Sequence, residues 1–178
     1  KRDHKRQSPL HLVCNSQAPL DVIRMVLEAY PKAAEMPDSC GRLPFHLACF
    51  QGNMSRDTIK MLFEAYPVAL QIQDVDGNSP LHLACKRKSY GGPPDAVGML
   101  LEICPEVAKT AKISNSKGKL PLHLALRCSE SYDNVAGILK AFPEAVQKQD
   151  RKGCLPLHKA CEYRASMKVL HLLLEAYP

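Results

Sequence analysis

The chain has 178 residues, 46% apolar and 24% charged, with a net charge of +6 and a pI near 8.9. No apolar run approaches the roughly 18 residues that read as a membrane span. No apolar segment follows the basic stretch Lys1-Arg2-Asp3-His4-Lys5-Arg6, so no signal peptide is expected. The basic surplus favours acidic partners or surfaces.

In chain order, the first element is a turn at Asp3, followed by Ser8-Pro9-Leu10-His11-Leu12. Proline at the first helical position costs nothing, because its missing N–H would be unbonded there anyway. A short helix with small residues near its end is therefore expected. A polar break follows, and then a second helix, Val22-Ile23-Arg24-Met25-Val26-Leu27-Glu28-Ala29-Tyr30-Pro31, with apolar positions at helical spacing. Pro31 ends it, since the residue before proline is pushed out of the α region. Ala33-Ala34 then implies one extra turn.

The same script runs four more times. Leu43-Pro44-Phe45-His46-Leu47, Ser79-Pro80-Leu81-His82-Leu83, Leu120-Pro121-Leu122-His123-Leu124 and Leu155-Pro156-Leu157-His158-Lys159 repeat the motif, with prolines 35, 36, 41 and 35 residues apart. Six residues before each proline stands Asp3, Asp38, Asp74, Asn115 or Asp150. Three before it, in the last four copies, stands Gly41, Gly77, Gly118 or Gly153. Asp-x-x-Gly predicts a tight turn with glycine at positive φ. The second helices end Ala65-Tyr66-Pro67, Ile103-Cys104-Pro105, Ala141-Phe142-Pro143 and Ala176-Tyr177-Pro178, and Val68-Ala69, Val107-Ala108 and Ala145-Val146 parallel Ala33-Ala34. The third copy carries an insertion around Lys88 to Pro94, read as an exposed loop at Gly91-Gly92-Pro93-Pro94, and a second within Lys109 to Ser114.

A period of this length is the signature of a stacked-repeat architecture. The phrase Asp-x-x-Gly-x-(Ser/Leu)-Pro-Leu-His-Leu-Ala, followed by a helix, loop and helix, resembles the ankyrin repeat over essentially the whole chain. The resemblance implies an all-α solenoid of helix-turn-helix units with short β-turn or hairpin projections. The units run approximately 1–35, 36–71, 72–112, 113–147 and 148–178, in one domain over 1–178. Leu43, Leu120 and Leu155 stand where the family usually has a capping Thr, a loss of about 1 kcal/mol each. The Leu-Pro-Leu-His and Ala-Tyr-Pro style is similar to ankyrin arrays of diatoms and related algae. Neither end has a polar capping repeat, so the chain is expected to be a fragment of a longer array.

Eight cysteines raise the question of disulfides or metal. Cys14, Cys49, Cys85 and Cys161 share one position, five after the proline, and no Cys-x-x-Cys pair exists. Stacked helices lie about 8–10 Å apart, beyond disulfide reach. Buried, reduced thiols in an intracellular, cytoplasmic or nuclear, protein are expected. His11, His46, His82, His123 and His158 form a similar column. The same spacing keeps them from sharing a metal, so they are read as framework that bonds turn backbone. No nucleophile elbow, phosphate-cradling loop or carboxylate pair appears. The expectation is a non-enzyme with no catalytic residue, cofactor or metal.

The surface says more. At the turn tips and the outer ends of the first helices stand ten basic residues, Arg2, Lys5, Arg42, Lys86, Arg87, Lys117, Lys119, Arg127, Arg151 and Lys152, against two acidic ones, Asp76 and Glu162. Chance placement would give about four and three. Phe50 and Tyr163 fall among them as contact anchors. The candidate partner-binding residues on the concave face are therefore Arg42, Phe50, Lys86, Arg87, Lys117, Lys119, Arg127, Arg151, Lys152 and Tyr163. The expected function is a protein–protein interaction scaffold that steers an acidic partner or segment into a basic groove. The alternatives are a targeting or regulatory module of a larger enzyme or channel, and docking to anionic lipid or nucleic acid. Nucleic acid is disfavoured by the few aromatics and the lack of a groove-reading helix.

Overall fold

A computed structural model describes residues 3–51, 55–86, 96–127 and 132–177. Five helices open on the motif prolines: α1 Pro9–Asn15, α3 Pro44–Gln51, α5 Pro80–Lys86, α7 Pro121–Ala125 and α9 Pro156–Glu162. Five longer ones alternate with them: α2 Leu20–Ala29, α4 Arg56–Ala65, α6 Ala96–Ile103, α8 Tyr132–Ala141 and α10 Met167–Glu175. The first set packs α1 on α3 on α5 on α7 on α9, and the second set forms a parallel row, α2 on α4 on α6 on α8 on α10. The molecule is an all-α solenoid, with no strand among the described residues.

The chain punctuates itself with proline. Tyr30, Tyr66, Cys104 and Phe142 have ψ of 77°, 81°, 74° and 82°, which ends each second helix. The proline that follows starts a 3₁₀ turn at Pro31–Glu35, Pro67–Gln71, Pro105–Lys112 or Pro143–Gln147. The third of these is 8 residues long against 5 in the others, so the insertion near Lys109 lengthens this turn. These turns bury Ala33 and Ala34, then Ala69 and Leu70, then Val107 and Ala111, then Ala145 and Val146. In the second unit the buried pair sits one residue later than Val68-Ala69, and Val68 faces solvent. The Gly91–Pro94 loop lies outside the described residues.

The projecting turns are alike down to single hydrogen bonds. In every unit Oδ1 of the turn Asp or Asn accepts from the N–H groups two and four residues on, at 2.7 to 3.1 Å. Neighbouring turns are joined by one backbone bond each: Ser39 N–H to Lys5, Val75 to Cys40, Ser116 to Asp76 and Arg151 to Lys117. At 2.6 Å from Ser116 N, a Cβ on Gly77 would collide with the next turn, and its φ of +76° already excludes most residues. Arg6 holds the same place in the first unit at φ 58°. The projections are thus a row of turns, not a sheet.

Candidate functional site

The histidine column is framework. His11, His46, His82 and His123 have no exposed surface. Each Nδ1 accepts the N–H of the residue before its own proline, at 3.1 to 3.2 Å. Each Nε2 then donates to a carbonyl of the unit that follows: Arg42, Ile72, Lys119 and Cys154, at 2.9 to 3.2 Å. That arrangement fixes the tautomer and links one unit to the next. It also shows why Leu43, Leu120 and Leu155 suffice without a capping hydroxyl. The imidazole accepts the helix-start N–H, and Ser8 and Ser79 only add a second contact to it at 2.8 Å. Burial drives the pKa of His46 and His82 down to about 4, and it lowers that of His123. His158 has the same Nδ1 contact but is exposed.

The cysteine column divides. Cys14, Cys49 and Cys85 are buried, and burial pushes the Cys14 thiol up to about 12 and Cys49 well above its usual range. Cys161, expected to be buried with them, is exposed. In the earlier units the next first-row helix covers this position, and no described element covers α9 there. No cluster of His, Cys, Asp or Glu among the described residues has the arrangement to hold a metal ion.

The structure brings four of the sequence-derived basic residues together. Lys86 at the end of α5, Lys117 and Lys119 on the fourth turn, and Arg127 just past α7 line one cleft of about 70 Å³, with Asp76, Asn78, Asn115, Ser116 and Leu124. None of the four cations makes an ion pair among the described residues. Lys119 is half-buried, and its pKa is lowered by burial and then by Lys159, against a smaller opposite pull from Asp150 and with a further push from Arg127.

The other candidates lie apart. Arg42 is held to its own framework, with Nε 3.7 Å from Asp74 Oδ2 and no hydrogen-bond partner at that atom. Arg151 lines a separate groove beside Lys112, Phe142 and Lys148. Lys152 is exposed on the fifth turn, and Phe50 is 39% exposed at the end of α3. Arg87 lies outside the described residues.

A family model described as ankyrin repeat matches residues 76–110, which hold the third turn, α5 and α6. The other units repeat that turn and helix pair. Over residues 76–110 the chain is similar to the ankyrin repeat. No curated protein matches the chain. Ankyrin repeats act generally in protein–protein interaction and are typically non-catalytic. No described helix is long and apolar enough to cross a membrane.

In the last unit the cleft passes into a second cluster. The Arg127 guanidinium lies over the Tyr163 ring at 5.7 Å from its centroid, and Lys159 Nζ lies at 6.0 Å. Tyr163 is half-buried and so is a platform shared by two cations. Lys159 pairs with Glu162, whose carboxyl is held below its usual range chiefly by that hydrogen bond. Sequence reading passed over Lys159 and Asn115. Each breaks a column: Lys159 stands where the other copies have Leu12, Leu47, Leu83 and Leu124, and Asn115 stands where they have Asp. Scoring departures from a column, besides the charges around it, would have found both.

Proposed function

We propose that this ankyrin array is a non-catalytic scaffold that binds an acidic segment of a partner protein on its basic concave face. The observation that carries the reading is the convergence of Lys86, Lys117, Lys119 and Arg127, unpaired among the described residues, on one cleft between the third and fourth units. Holding four cations together against the single lining carboxylate of Asp76 destabilises the free protein slightly, and an anionic partner reverses that cost. Tyr163, under Arg127, supplies the rigid aromatic contact at one end.

The test is binding of a synthetic polyglutamate peptide, measured by calorimetry at low and moderate salt. Affinity is expected to fall as salt screens the face. Reversing Lys117, Lys119 and Arg127 to Glu together should abolish it. Undiminished binding by the triple variant removes the basic face from the mechanism.

A further inference from the structure

The turn residue six before the motif proline is Asp in four units and Asn115 in the fourth. The two side chains do the same backbone work, since Asn115 Oδ1 accepts from Lys117 and Lys119 N–H at 3.0 Å as Asp38 Oδ1 does from Cys40 and Arg42 at 2.8 and 2.9 Å. They differ by one charge. Between the second and third units the turn carboxylate of Asp74 offsets Arg42, two residues before the preceding motif proline, whereas between the third and fourth units both members of that pair are neutral, Asn115 and Asn78. In the fourth turn no carboxylate stands at that point, and cations that make no ion pair among the described residues gather around it. Among the cleft's described lining residues Asp76 alone is acidic.

A cleft of about 70 Å³ has room for a small head group. The Asn115 amide gives one N–H to Asn78 Oδ1 at 2.9 Å, and the lysines and Arg127 are the charged donors toward an occupant. A carboxylate brings one charge and two oxygens. A phosphoryl group brings about 1.5 to 2 charges and three strong acceptor oxygens, which matches a multi-donor cationic site better.

We propose that the cleft is a socket for a phosphorylated serine or threonine of the partner segment, opened by Asn115 standing where the other turns carry a carboxylate. The socket rests on the acidic-segment reading above and names its anchor.

The probes are inorganic phosphate and acetate, titrated separately at matched ionic strength into the ¹⁵N-labelled chain, with the amide shifts of Ser116, Lys117 and Lys119 followed. Phosphate should give saturable shifts there, and acetate should bind at least about tenfold more weakly. Asn115→Asp restores the missing carboxylate and should weaken phosphate about tenfold. Should that variant fail to fold, Lys86→Gln at the half-exposed end of α5 is expected to weaken phosphate in the same direction. Acetate binding equal to phosphate binding, shifts spread evenly to Arg151 and Lys152, or unchanged affinity in a folded variant overturns the socket. Polyglutamate separates the two readings. A chain that binds polyglutamate through this face and ignores phosphate loses the socket and keeps the broader reading. A chain that binds phosphate at these amides and ignores polyglutamate keeps the socket and loses the broader reading.

Discussion

Arg42 and Lys119 occupy the same column, two residues before a motif proline, and their backbones do the same job. The carbonyl of each accepts the Nε2 donor of the preceding histidine, His11 at 2.9 Å and His82 at 3.0 Å. Their side chains live differently. Arg42 lies 3.7 Å from the carboxylate of Asp74 in the next turn, while Lys119, whose counterpart in the next turn is Asp150, makes no ion pair among the described residues and lines a cleft with Lys117, Lys86 and Arg127. One cation belongs to the framework and the other faces outward. In a stacked repeat, position fixes the backbone role, and whether a carboxylate lies close enough to pair decides whether a nearby charge is available to a partner.

The largest effect should fall on what the two junctions share. His46 and His82 have pKa values lowered to about 4 by burial, from an ordinary 6.5. Below pH 6.5 the unfolded chain takes up protons that the folded chain refuses, so stability falls as pH drops from 6.5 toward 4. The loss is roughly 3 kcal/mol for each histidine by the lower limit. Urea denaturation across that window checks it, and a flat profile would mean these imidazoles are protonated in the fold.

Binding should then separate the two cations. Lys119→Glu is expected to weaken polyglutamate by about thirtyfold at low salt, with stability changed by less than about 0.5 kcal/mol. Arg42→Gln should do the reverse, changing polyglutamate affinity by less than about twofold and lowering stability by about 1 kcal/mol, because the buried Asp74 carboxylate loses its counter-charge. Calorimetry and denaturant melts on both variants measure the contrast, and equal losses of affinity would erase it. The smallest effect is a conversion. Asp74→Asn gives the third turn the neutral residue of the fourth, frees Arg42, and should tighten polyglutamate by about two- to threefold. A weaker complex would show that Asp74 does not restrain Arg42.

Much of this was legible before any coordinates. The period, the proline-opened helices, the Asp-x-x-Gly turn and the structural role of the histidines are local chemistry, repeated until chance is excluded. Leu43, Leu120 and Leu155 illustrate the limit, since a cap missing from the side chain is replaced by a ring three residues away. Which of the ten basic slots would meet was not legible. That depends on which turns and helix ends the stack sets side by side, and Arg42 and Arg151, on the second and fifth turns, fell outside the cleft. Cys161 was misread because burial at its position depends on a neighbour, not on the residue.

The buried thiols have a use that their packing did not foretell. Cys14, Cys49 and Cys85 are shut inside three successive units, and Cys104 closes the second helix of the third. The thiolate is the nucleophile, and burial holds Cys14 and Cys104 at about 12. A thiol reagent at neutral pH must therefore wait for each unit to open, while exposed Cys161 reacts at once. The chain carries its own set of clocks, spaced along the stack, and the order in which they run reports where the solenoid begins to come apart.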